Sequence, residues 1–322
     1  MTTPDIPLLD ISVWRHGTQP RRRELAARMD RALRRSGFLL IENHGVPAGL
    51  RRRIREEAGR FFALAAERKR PYATPVGGRG WIPLGGEANA FYGEVADPSR
   101  ADLKESLTNG RDFRTGDAAV DEAWFAANVW PGECPELPAL AEEFTEQARA
   151  LYYDLLRMGA AALGLAEEAF VAHVLRGPQT FNINRYPPLH ATGPAKQGQY
   201  RVAPHTDWGI LTILDRQPGY GGLQVQGLDG TWADAPYVPD AFTVNVADLL
   251  SHWTGGRWRS TRHRVLPPPQ QAPDEELISL IVFLEAEMDT LISPVAGNRE
   301  LAPVVAGDWY RARESAATVP AT

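Results

Sequence analysis

The sequence is poor in three things. A single cysteine, Cys134, stands beside Pro135 in a loop-like stretch, so no internal disulfide can form and the thiol reads as an ordinary unpaired one; a reducing cytoplasm is the expected compartment. Long apolar runs are missing too. The longest, Leu277 to Ala286, already contains Ser279 and Glu285 and falls well short of the roughly 18 apolar residues of a membrane span. The start, MTTPDIPLLDIS, lacks the basic segment and apolar core of a secretion signal. Nor is positive charge in excess: 35 Lys and Arg against 40 Asp and Glu give a net charge of −5, which speaks against electrostatic binding to nucleic acid or an anionic membrane. What the 322 residues do offer, 43% of them apolar and 23% charged, is the composition of a globular protein with a sizeable core.

The hydrophobic period changes along the chain. From Arg21 to Ser36, the residues Leu25, Met29 and Leu33 recur at helical spacing until Gly37, after which FLLIENHG reads as a short buried strand and a turn. Pro47 is placed to open a second helix through Leu50, Ile54, Phe61 and Phe62. Leu140, Phe144, Leu151, Leu155 and Met158 mark the longest helix, ending at Gly164. Beyond Gly177 the runs become strand-length: FNINRY, YRVAPHTD, GILTILDR, GLQVQ, TWADAP, AFTVNVADL, HRVL, LISLIVFLEA and TLISPV. Alternation such as Phe242, Val244, Val246 suits sheets with one face in a core and the other lining something polar. Residues 187–199 and 267–276, rich in Pro, Gly and Gln, read as surface loops. No linker or internal repeat divides the chain. It is read as one domain over 1–322, with a mainly helical part to 176, a β core over 177–296 and a C-terminal segment over 297–322. The arginine clusters 21–23 and 51–53 lie at helix-like positions among acidic residues and are expected on solvated helix faces.

Among seven histidines, two stand in suggestive settings: His205 in APHTDWG and His263 in STRHRVL. Residues two apart in an extended strand share a face, so His205 and Asp207 would present an imidazole and a carboxylate roughly 7 Å apart at Cα. His263 lies far enough along to arrive from a neighbouring strand. Two neutral imidazoles and a carboxylate on one face of an octahedron suit ferrous iron, because the opposite positions stay open, whereas zinc favours a tetrahedron. Taken alone, H-x-D with a distant histidine is a weak signal, and a polar pair satisfied by backbone hydrogen bonds fits the spacing better.

The surrounding blocks narrow the choice. IPLLDIS, SGFLLIENHGVP, NINRYPP, APHTDWGILTIL, GLQVQGLDGTWADAP, FTVNVADLLSHWTGGRWRSTRHRV and GDWYRAR follow one another in an order that resembles the isopenicillin N synthase-like family of non-haem Fe(II)/2-oxoglutarate-dependent oxygenases, over nearly the whole chain. The resemblance implies a distorted jelly-roll, or double-stranded β-helix, core with helices outside. It implies Fe(II) held by His205, Asp207 and His263, and 2-oxoglutarate and O₂ as cosubstrates, with decarboxylation to succinate and CO₂ driving oxidation of an unactivated C–H bond in a small molecule. His44 falls in a segment of structural role; His16, His173, His190 and His252 match no ligand position.

One departure stands out. The family anchors the distal carboxylate of 2-oxoglutarate with an R-x-S motif and the tyrosine of N-x-Y. Here N-x-Y is present as Asn184 and Tyr186, and Ser279 falls at the serine, but Leu277 takes the arginine's place. By strand parity Leu277 faces the pocket without a charge, Arg185 and Arg264 point away, and Arg201 shares parity with His205 but lies beyond Pro204. An iron oxidase that dispenses with 2-oxoglutarate is therefore the alternative reading. The resemblance also places Trp81, Phe91 and Tyr92 near the pocket mouth, as candidates for substrate contact.

Overall fold

The computed structural model describes residues 6–89, 94–95 and 97–320. Its first joint is the one the glycine marks. The helix Gln19–Arg35 buries Leu25, Met29 and Leu33, and Gly37 then takes φ +71°, where a Cβ would stand 2.2 Å from the Arg259 carbonyl oxygen. The chain enters the strand Phe38–Glu42, turns through Pro47 and forms the helix Ala48–Phe62. The long helix Leu137–Ala162 packs against both helices.

Among the described residues, eight strands form a large sheet in the order Leu8–Asp10, Phe38–Glu42, Phe242–Val246, Leu211–Asp215, Leu277–Leu284, Gln179–Tyr186, Glu105–Gly110 and Gly80–Ile82. Four of these come from the front of the chain. The front is therefore less helical than its periodicity predicts, because strands of three to six residues are too short to impose a visible period of two. A second sheet runs Trp232–Asp234, Leu223–Gln226, His263–Val265, Val202–His205.

Register explains the two faces of the large sheet. Val244, Ile213, Val282 and Phe181 stand side by side across four strands, and this face packs on the helices, where Phe144 meets Phe181 at 5.3 Å between ring centroids. One residue along, Asn245, Thr212, Phe283 and Thr180 form the parallel row on the opposite face, which looks toward the second sheet. Two facing sheets with helices on the outside make the distorted double-stranded β-helix.

Arg51 corrects the expectation of a solvated arginine cluster. It is buried, donating to Asp215 (2.9 Å) and Asp240 (2.7 Å), while Arg55 donates to the other Asp215 oxygen (2.7 Å). A carboxylate gripped by two guanidinium groups ties the helix Ala48–Phe62 to the sheet. His44 completes this corner: its ring stacks on Phe242 at 3.7 Å, Nε2 donates to the Asp240 carbonyl and Nδ1 accepts from Val46 N–H, a structural role. Among the described residues no helix is long and apolar enough to cross a membrane.

Candidate metal centre and its cavity

His205 ends one strand of the second sheet and His263 opens its neighbour, and the antiparallel register sets them directly opposite each other, ring centroids 4.3 Å apart. Asp207 arrives by a different route from the one strand parity predicts. The strand stops at His205, and Asp207 belongs to the turn beyond it, its carbonyl accepting from Asp248 N–H (2.8 Å). From there Oδ1 lies 3.5 Å from His205 Nε2 and 3.7 Å from His263 Nε2, and the three donor atoms all fall within 4.8 Å of one another.

The outer atoms of all three side chains are already committed. His205 Nδ1 lies 2.8 Å from the Ala203 carbonyl oxygen and His263 Nδ1 lies 3.1 Å from that of Thr261. A carbonyl only accepts, so each Nδ1 carries the proton and each Nε2 lone pair faces inward. Asp207 Oδ2 accepts from Thr212 Oγ1 and from Asn245 Nδ2 (2.7 Å), which leaves Oδ1 to the centre. Burial opposes ionisation of Asp207, yet His263, His205 and Asn245 hold its carboxyl well below the usual range. Burial and the neighbouring His205 push His263 down to about 4; burial also acts on His205, but contact with Asp207 holds it above its ordinary value. Two imidazole nitrogens and one carboxylate oxygen, aimed at one point and open on the cavity side, form a donor set that fits ferrous iron. Thr212 and Asn245 were not singled out from the sequence; the signal was their place as polar residues in the alternating runs GILTILD and AFTVNVAD.

A cavity of about 340 Å³ between the sheets contains this centre. Asn184 and Tyr186 line one end; Ser279 and Leu277 sit opposite them in register. Leu277 packs with Tyr186, Val202 and Val265 and brings no charge. Arg185 turns to Glu105 and Glu276, and Arg264 to Gln224 and Tyr200, both away from the cavity as parity predicts. Arg201 is 1% exposed, gripped by Glu275 (2.9 Å), with its guanidinium 5.6 Å from the Tyr186 ring centroid. The cation that lines this end is Lys104, just ahead of the strand Glu105–Gly110 and, by register, beside Tyr186. Its ammonium donates to Glu87 and to Ser106 Oγ (3.1 Å). Burial would favour its neutral form, but Glu87 and Asp102 hold it protonated. Asp102, itself pushed up to about 7 by burial, accepts from Asn89 (2.6 Å) and Ala203 N–H (3.1 Å).

Of the three residues read as substrate contacts, Trp81 turns away: its Nε1 donates to Glu105 (2.8 Å) and its ring meets Phe61 edge-on, while the next residue, Ile82, lines the cavity. Phe91 and Tyr92 lie outside the described residues.

Known proteins match this arrangement over most of the chain. Residues 6–133 match the family described as non-haem dioxygenase in morphine synthesis, N-terminal, and residues 178–286 match the 2OG-Fe(II) oxygenase superfamily. The validamycin A dioxygenase of Streptomyces hygroscopicus subsp. limoneus is 38% identical over 95% of this chain and 85% of its own. The homoarginine-6-hydroxylase 2-ODD-C23 of Glycine max is 29% identical over 94% of each chain. Among solved structures, a full-length Neurospora crassa protein in complex with alpha-KG superposes with a TM-score of 0.82 at 26% identity, covering 97% of this chain and 96% of that one. These likenesses do not favour an iron oxidase independent of 2-oxoglutarate. The chain belongs to the 2-oxoglutarate- and Fe(II)-dependent oxygenase superfamily and is a non-haem iron dioxygenase of that family.

Proposed function

We propose that His205, Asp207 and His263 hold Fe(II), and that the enzyme oxidises an unactivated C–H bond of a small metabolite, by hydroxylation, desaturation or ring formation, in specialised metabolism within the cytoplasm. The observation that carries this is the commitment of Asp207 Oδ2 and both Nδ1 atoms to the protein, which leaves three donors aimed inward. With 2-oxoglutarate and O₂, iron supplies the oxidising power, and the cosubstrate leaves as succinate and CO₂. The chain's own part is placement. Thr212 and Asn245 fix the carboxylate plane of Asp207. Tyr186, Asn184 and Ser279 are the hydrogen-bonding groups for the distal carboxylate of 2-oxoglutarate, and Lys104 is the cation that takes over from the arginine absent at Leu277. Charge at this end matters because a carboxylate buried with neutral partners alone is poorly compensated. Val202, Val265 and Ile281 keep the wall apolar and water out.

The relatives named for validamycin A and homoarginine, and the Neurospora crassa protein solved with alpha-KG and thymine, support a small molecule as the substrate. The decisive experiment is anaerobic: Fe(II)-loaded protein develops the weak visible band of a chelated 2-oxo acid when 2-oxoglutarate is added. Absence of the band at saturating cosubstrate overturns the reading.

A further inference from the structure

From Ile281 onward the strand Leu277–Leu284 lines the cavity with every second residue, and parity carries the same row on to Glu285; Ile281, Phe283 and Glu285 all form part of the cavity wall. Glu285 is the charge that interrupts the longest apolar run of the sequence. Leu277 pairs with Tyr186 and Leu284 with Gln179, so Glu285 lies at the end opposite Lys104, past the level of Thr212, which holds Asp207.

Its surroundings leave it unsatisfied. Glu285 Oε2 is fully buried and has no hydrogen-bond partner among the described residues, and the same holds for the hydroxyl of Tyr310, which reaches the cavity from the helix Ala306–Ala317. The two converge over Gly209, where a Cβ would stand 2.0 Å from Oε2 and 2.5 Å from the Tyr310 oxygen. Buried polar atoms are nearly always paired, and a carboxylate without a donor is among the costliest exceptions. Burial first, and then the charge of Asp207, keep Glu285 in its protonated form. Arg79, a charged side chain that also lines this end, is turned to the Asn109 carbonyl and Thr180 Oγ1.

We propose that Glu285, with Tyr310, is the recognition site for a protonated amine of the substrate. An ammonium supplies several N–H donors to the two unpaired oxygens and, by pairing with Glu285, draws it into the ionised form that burial otherwise opposes. A neutral hydroxyl supplies one donor and no charge to pair with Glu285. The amine end of the substrate docks beyond the centre, and the bond to be oxidised lies between that end and the metal.

This inference rests on the Fe(II)/2-oxoglutarate reading, so the test begins from it. Anaerobic Fe(II)·2-oxoglutarate protein is titrated with cyclohexylamine and benzylamine and with the matched alcohols, cyclohexanol and benzyl alcohol, following displacement of the visible band. The amines are expected to bind about tenfold tighter than their alcohols, and Glu285→Gln to bring each pair within about twofold while its own band stays intact. Equal affinity of amine and alcohol, no amine binding, or a preference that survives in Glu285→Gln overturns the proposal. A failure of the underlying reading shows separately, as a missing band before any probe is added.

Discussion

The two ends of the cavity treat their acidic groups differently. At the Tyr186 end the charged groups find one another: Lys104 meets Glu87 and Ser106, and Asp102 meets Asn89 and a backbone N–H. At the far end Glu285 Oε2 and the Tyr310 hydroxyl are buried with no partner among the described residues. If the Tyr186 end receives the same dicarboxylate in every turnover, as proposed, its charged groups can stay paired with one another, even though Asn184 Oδ1 there is buried with no partner among the described residues. The end that selects a substrate keeps its polar groups short of partners, so that only a ligand with matching donors completes it.

The comparison is easiest to break at its centre. Asp207→Ala removes the proposed metal ligand that lies between the two ends; iron retention, measured on purified protein, is expected to fail, and turnover to fall by at least about a hundredfold. Unchanged turnover would leave the two ends with nothing to flank. The next largest effect separates them. Lys104→Met is expected to raise the Kd for 2-oxoglutarate about ten- to a hundredfold with iron still bound, as loss of a charge-assisted contact does, whereas Arg201→Gln leaves it within about threefold. The reverse ranking in an anaerobic titration would move the anchor to Arg201. Gly209→Ala attacks the other end: its Cβ displaces Glu285 and Tyr310, so substrate-coupled succinate release drops about tenfold while 2-oxoglutarate affinity holds.

The smallest effect is on stability. Burial, and then the charge of Asp207, push Glu285 up to about 8 from the ordinary value of 4.5. Between those values the folded protein keeps a proton that the unfolded chain has released, so stability contributed by this group falls as pH rises from 4.5 to about 8. Glu285→Gln cannot titrate. Its Tm relative to the wild type, measured without metal, is expected to climb across that window; a flat difference would mean that Oε2 is better solvated than its burial shows.

Legibility differed from residue to residue. His205, Asp207 and His263 were readable because each sits in a distinctive block, and Asn184, Tyr186 and Ser279 because they fall at the N-x-Y and R-x-S motifs of the family that the sequence resembles. Lys104 was not, since the strand beginning at Glu105 is short and lies in a stretch where helical spacing dominates. Arg51 looked like one of three solvated arginines, and only the approach of Asp215 and Asp240 from distant strands buries it. Glu285 was visible as a charge inside an apolar run, but a sequence cannot say whether a donor folds over it.

The sequence by itself determined the helix periods of the long helices and the alternating faces of the later strands, because these depend on neighbours a few positions away, while the order of its blocks carried the family resemblance that pointed to His205, Asp207 and His263. Tertiary structure alone decided that Asp207 reaches the centre from a turn, that Lys104 rather than an arginine lines the Tyr186 end, and that Glu285 is left without a partner among the described residues. Each of those depends on which groups from remote segments come within hydrogen-bond reach, a distance of about 3 Å that chain position does not encode.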